Sequence, residues 1–325
     1  MHPAFSVIFL TTLIGAGQGL FLAMYTGQLY SVINLVPVQD SHSFYGWGTL
    51  LALVFLGLGL FASLFHLGHP ERGWRAAARW RTSWLSREVI VLPAFMGMTS
   101  IYGLTHYFNI NPTLFSFGDV LTVNLTLLIG LLATGLAFLL FLCTGMIYAC
   151  IKFLQEWATP LTVVNYTLLG SASGFVMAAA FAAYVNSGLA SFYAGWAIVL
   201  TGVGFVTRSI SLIRNARIKP KSTLATAIGI RHTNIQQKSR GFMAGSFNTR
   251  EYFHNAPAIF FKSIKWIFPI LAFIIPLVIL SSAMTSNSFG IFALTFVIQY
   301  VGLIAERWFF FAQANHPQNL YYQTI

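Results

Sequence analysis

Two residues in this sequence combine proton chemistry with a place at an apolar boundary. His66 closes one long apolar stretch and Glu88 opens the next. Between them runs a basic, tryptophan-rich link: His69-Pro70-Glu71-Arg72-Gly73-Trp74-Arg75, then Arg79-Trp80-Arg81, then Trp84-Leu85-Ser86-Arg87. An imidazole donates or accepts a proton near neutral pH, and a partly buried carboxylate relays one. A quinone is a lipid-soluble ring whose two carbonyls take up electrons and protons in pairs. It needs an apolar way in from the bilayer, hydrogen-bonding groups at the carbonyls and a proton route to water. His66 and Glu88 at one interface meet those needs. A structural reading stands beside this one. Ser86 could cap the following helix, with Glu88 satisfying the dipole in its first turn, and His66 could be a snorkelling boundary residue.

Other chemistries find less support. On an α-helical wheel Arg72, Arg75 and Arg79 share a face opposite Trp74, Ala77 and Ala78, which predicts a short helix lying at the interface. A b-type haem needs two histidines facing each other at one depth, yet His66 and His106 end their stretches at opposite faces. The remaining histidines (His2, His42, His69, His232, His254 and His316) lie outside or at the edges of the apolar stretches. Cys143 and Cys150, the two cysteines, are too few for an iron–sulfur cluster and are read as packing residues on one helix. No HExxH or paired-cysteine spacing marks a metal site. Gln18, near mid-depth in the first stretch, is read as an interhelical hydrogen bond. The midplane acidic groups of a secondary transporter are missing, which leaves a transporter or channel as a distant alternative.

The elements that must position these residues are transmembrane helices. Of 325 residues, 57% are hydrophobic and 8% charged, against about 25% charged in soluble domains. The apolar residues fall in runs long enough to cross the hydrocarbon. The expected fold is all-α and polytopic, a single membrane domain over 1–325. Its eight spans are read near 5–33, 45–67, 88–107, 118–150, 163–184, 192–213, 264–284 and 288–311. The fourth stretch exceeds one crossing, so it tilts or continues past the membrane. Pro269 and Pro276 should kink the seventh span. Gly15, Gly17 and Gly19, and again Gly202 and Gly204, predict close helix contacts. The first helix lacks the basic flank of a cleavable signal peptide.

Charge gives the orientation. All 18 Lys and Arg fall on, or at the border of, the face shared by the termini and the even-numbered connections. Five arginines (Arg72, Arg75, Arg79, Arg81 and Arg87) occupy the second connection, and eleven basic residues from Arg208 to Lys265 are allotted to the sixth. Lys152 and Arg307 complete the set, while the opposite face carries Asp40 and Asp119. The positive-inside rule then places both termini in the cytoplasm of a bacterial inner membrane. The long sixth connection, roughly 214–263, mixes basic residues with Phe242, Phe247, Tyr252 and Phe253. It is either a solvated loop that fixes topology or a docking segment. Lipid headgroups and an acidic protein partner suit its net charge beside membrane spans better than nucleic acid does.

Ser63-Leu64-Phe65-His66-Leu67-Gly68, followed by the basic link and Leu85-Ser86-Arg87-Glu88, resembles the membrane anchor subunit of the dimethyl-sulfoxide-reductase type. The opening His2-Pro3-Ala4-Phe5-Ser6-Val7 with Gly15-Ala16-Gly17-Gln18-Gly19 is similar to its sulfite-dehydrogenase branch. So are Gly245-Ser246-Phe247-Asn248-Thr249-Arg250-Glu251-Tyr252-Phe253 and Glu306-Arg307-Trp308-Phe309-Phe310-Phe311. The resemblance implies an eight-helix anchor without haem or iron–sulfur cluster. It would hold a molybdopterin catalytic subunit and a four-cluster iron–sulfur subunit, with molybdenum chemistry on another chain and only the quinone site (ubiquinone or menaquinone) here. The family's quinone-site histidine and glutamate fall on His66 and Glu88. Trp84, Ser86 and Arg87 join the site by adjacency, and Arg72, Arg75 and Arg79 are read as the docking face. A cytoplasmic catalytic side favours sulfite oxidation with quinone reduction; the alternative is a dimethyl sulfoxide reductase anchor passing electrons from menaquinol.

Overall fold

The computed structural model describes residues 3–117, 121–219, 223–236, 257–284 and 286–316. Among these residues, eight helical segments of 24 to 28 residues are long and apolar enough to cross a bilayer, which makes the chain an all-α, multi-pass membrane protein. The first is α1 (Phe5–Val32). A π-helical turn at Ser41–Gly46 leads into α2 (Trp47–Ser63), which ends in a 3-10 turn at Leu64–His66. A further 3-10 helix, Pro70–Arg79, precedes α3 (Trp84–Tyr107). Then come α4 (Leu125–Ala149), α5 (Pro160–Tyr184) and α6 (Ala190–Ala216). The short α7 (Leu224–Ile228) stands in the sixth connection and ends on Gly229, whose left-handed backbone (φ 74°) suits glycine. The last two spans are α8 (Ala258–Pro269) joined to α9 (Ile275–Ala283), and α10 (Phe289–Ala312).

The apolar stretch expected over 118–150 is not one long helix. Its first part forms β2 (Leu121–Asn124), which pairs antiparallel with β1 (Thr113–Phe117) just ahead of the stretch, and 25 residues remain for α4. The β-branched Thr122 and Val123 suit a strand as well as a span. Hydropathy alone does not separate the two. In the seventh span the helix is irregular between the two prolines. A π-helical segment, Ile270–Ile274, lies between Pro269 and Pro276, in the part of the span where proline's missing N–H interrupts the regular helical ladder.

Two helices form the interior. In α1 and α5, 78% and 83% of the most apolar window is buried within the protein, against 28–44% in the other six. Glycine explains how α1 and α5 meet. A Cβ on Gly19 would collide with the Gly170 carbonyl oxygen, and one on Gly174 would collide with the backbone at Gly19 and Leu20. These backbones touch, as small residues permit in membranes. Gly302 does the same for α10 against Ala272. Gly202, expected to mark a contact, faces open space, and Gly204 makes only ordinary van der Waals contact. The aromatic motif over 245–253, with Phe242 and His2, lies outside the described residues.

Candidate functional site

The site begins with a helix cap. Ser83 sits in extended backbone and its Oγ accepts the Ser86 N–H at 3.3 Å, so α3 starts at Trp84. The cap is therefore Ser83 and not Ser86, whose side chain is buried. Starting the helix earlier than expected also moves Glu88 past the first turn, in which there is no acidic residue. The dipole reading of Glu88 fails for that reason. Its carboxylate instead turns into the bundle and accepts a hydrogen bond from the Thr144 hydroxyl on α4.

Glu88 and Thr144 line a cavity of about 20 Å³ together with Gln18, Tyr166 and Arg307. That is room for roughly one water molecule. Gln18 makes the expected interhelical bond, its Nε2 donating to the Ala137 carbonyl at 2.9 Å, while also bordering the cavity. Across the cavity stands a group of buried ions. Arg208 Nε lies 2.6 Å from one Glu306 oxygen, and Arg307 Nε lies 3.4 Å from the other. None of the three side chains is more than 5% exposed. The Arg307 guanidinium also sits 3.7 Å from the centre of the Tyr166 ring, a desolvated cation–π contact.

This cluster corrects the charge map. The map allots Arg208 to the sixth connection and Arg307 to the membrane border, yet both lie inside α6 and α10 and are buried. The signal in the sequence is an acidic and a basic residue side by side, Glu306-Arg307, with apolar residues before and after. An intramembrane ionisable pair is by default a functional or paired group.

His66 takes a different position. It ends the 3-10 turn after α2 and is exposed. Beside it, Phe61, Ala62 and Phe65 wall an apolar groove of about 330 Å³ shared with Ser6, Phe9 and Leu13 of α1. That volume falls in the usual range for small-molecule sites. No hydrogen bond joins His66 to Glu88 among the described residues; Glu88 lines the water-sized cavity, whereas the groove is lined by Phe65, the residue before His66.

The flanking residues organise the link between them. Arg87 Nε donates to the Trp80 carbonyl at 2.9 Å and its Nη2 to the Arg81 carbonyl at 2.8 Å. The same guanidinium lies 4.2 Å from the Trp84 ring centre. Arg87 and Trp84 thus tie the link to the start of α3. The link's helix is 3-10 and not α, so residues three apart are in register. Arg72 and Arg75 align, while Arg79 is turned a third of the way round. Trp74 and Trp80 are 72% and 53% exposed.

At the opposite face, His106 is buried, its Nδ1 2.7 Å from Ser41 Oγ, with the Tyr45 and Tyr102 rings against it. Tyr102 donates to Gln28, whose Nε2 donates to Thr126. On the interior side Phe21 packs edge-on against Phe95 and Tyr102.

Comparison with known proteins gives the family. The chain is 54% identical over 325 residues to a sulfite dehydrogenase subunit of Allochromatium vinosum, covering all of both chains. A family model for the DMSO reductase anchor subunit (DmsC) matches residues 1–312. With a match across nearly its whole length, this chain belongs to the DMSO reductase anchor subunit family.

Proposed function

We propose that this chain is the quinone-reactive membrane anchor of a sulfite dehydrogenase. It would hold a molybdopterin catalytic subunit and a four-cluster iron–sulfur subunit at the cytoplasmic face of a bacterial inner membrane. The observation that carries the proposal is Glu88: a carboxylate turned inward near the basic face, held by Thr144 on a water-sized polar cavity. It is separated by one short link from His66, which follows directly on the groove-lining Phe65. Full-length similarity to a sulfite dehydrogenase subunit supports the choice of substrate branch. The family description favours a second reading, a dimethyl sulfoxide reductase anchor fed by menaquinol.

A bound quinone supplies a two-electron, two-proton acceptor. His66 offers an imidazole to one carbonyl from the groove side. Glu88 holds a proton away from bulk water, with Thr144 stabilising the carboxylate left when that proton is passed on. The apolar walls Phe61, Ala62 and Phe65 exclude water from the groove while leaving it open to lipid. Sixteen of the eighteen positive charges remain near one face once Arg208 and Arg307 are removed from the map, and this still favours that face as cytoplasmic.

The test separates the membrane site from the catalytic subunit. In membranes carrying the whole complex, His66→Ala and Glu88→Gln should lower quinone-linked sulfite oxidation by about 10²–10⁴-fold, the usual worth of an acid–base group. Reduction of a soluble dye by the same membranes reports assembly. Wild-type quinone turnover in both variants would sink the proposal.

A further inference from the structure

The small cavity beside Glu88 contains an unmet hydrogen bond. Tyr166 is 4% exposed, and its hydroxyl has no partner among the described residues. The Tyr148 ring stacks beside it, centres 5.7 Å apart, which brings the two hydroxyls near each other. Tyr166 borders the same space of about 20 Å³ as Glu88, Gln18 and Arg307. A buried hydroxyl without a partner is costly, and polar cavities of about 10–15 Å³ or more, with two to four polar partners, hold water. Other hydroxyls on this wall are already engaged. Thr11 donates to Val7 or Ile8 at 3.0–3.1 Å, Thr12 to Ile8 at 2.8 Å, and Thr144 to Glu88. Tyr166 is the hydroxyl left over on this wall.

We propose that this cavity is a binding site for a single structural water that bridges the Tyr166 hydroxyl and the Glu88 carboxyl group, making Tyr166 a positioning residue for Glu88. The inference rests on the role given to Glu88 above. The water accepts or donates as the carboxyl group changes protonation, so one hydrogen-bonded chain suits both states. It also joins Glu88 to the interior, because the Tyr166 ring is the platform on which Arg307 of the buried ion group rests. Glu88 is then held from two sides: by Thr144 directly and by Tyr166 through water.

Tyr166→Phe removes the hydroxyl and leaves the ring, its contact with Arg307 and the packing. A high-resolution structure of the detergent-solubilised or nanodisc-embedded complex should show one water peak within hydrogen-bonding distance of Tyr166 Oη and Glu88. The peak should be absent or displaced in Tyr166→Phe. Quinone-linked turnover of that variant, normalised to dye-linked activity, should fall about tenfold, the worth of one hydrogen bond to an ionisable group. Its solvent deuterium isotope effect should change as well, which a purely structural role would not produce. A cavity empty of density in the wild type, or unchanged turnover and isotope effect in Tyr166→Phe, would overturn the proposal. Failure of the Glu88 reading is distinct: Glu88→Gln would then turn over normally whether or not the water is seen.

Discussion

Two guanidiniums share one carboxylate inside this bundle, and the arrangement is asymmetric in what its loss would cost. Removing Glu306 leaves Arg208 and Arg307 buried without a counter-charge, and such breakage typically costs about 3–5 kcal/mol. Glu306→Ala should therefore lower the melting temperature of the solubilised complex and deplete the anchor from membranes. Replacing the whole group by apolar residues of similar volume (Arg208→Met, Glu306→Leu, Arg307→Met) should recover much of that loss, since apolar substitutes for buried ion groups are often neutral or stabilising. Recovered yield without recovered quinone turnover would show that the charges serve the chemistry and not only the fold. At this scale the sequence is legible in part. His66 and Glu88 draw attention because each can exchange a proton near neutral pH or when buried and stands at the edge of an apolar run. Thr144 and Tyr166 do not, because hydroxyls are common in spans and their meaning depends on which helix faces which. Arg208 is misplaced by the charge map for a related reason: its partner Glu306 lies 98 positions away in the chain, and nothing local distinguishes a buried arginine from a snorkelling one.

Elements show where local rules are enough and where they are not. The basic link reads as a short amphipathic α-helix; its 3-10 geometry changes which arginines act together. Arg72→Glu with Arg75→Glu should weaken retention of the catalytic subunits in a salt-dependent way, because rim charges act mainly on association. Arg79→Glu alone should do less. Release of catalytic activity from washed membranes across a salt series measures both, and equal effects of the three single reversals would argue for a simple charge count. The hairpin ahead of α4 is hidden because an apolar, β-branched run satisfies a hydropathy window as readily as a helix does. The glycine contacts of α1 are readable from spacing, but Gly202 shows that the same spacing on α6 can face open space. Only the partner helix decides. Gly174→Leu, which would drive a side chain into the α1 backbone, should abolish assembly, whereas Gly202→Leu should be tolerated. Anchor abundance in membranes distinguishes them.

For the whole molecule, orientation is the property that links the site to its partners. With the basic face in the cytoplasm, a phosphatase fused after Ile325 should be inactive and a cytoplasmic fluorescent reporter bright. The opposite result would put the catalytic subunits on the other side and remove the argument for sulfite over dimethyl sulfoxide. The contact between α1 and α5 has a further consequence, for biogenesis. The first helix made is among the two most enclosed, yet the surface it needs belongs to a helix that begins only at Pro160. At about 5–20 residues per second, roughly 6–26 s pass between the end of α1 and the start of α5. During that interval the glycine groove of α1 faces lipid or the insertion machinery. Quality control thus has a defined window in which to see an unfinished anchor, and a chain stalled before α5 should be a preferred substrate for membrane proteases while one stalled after it should survive.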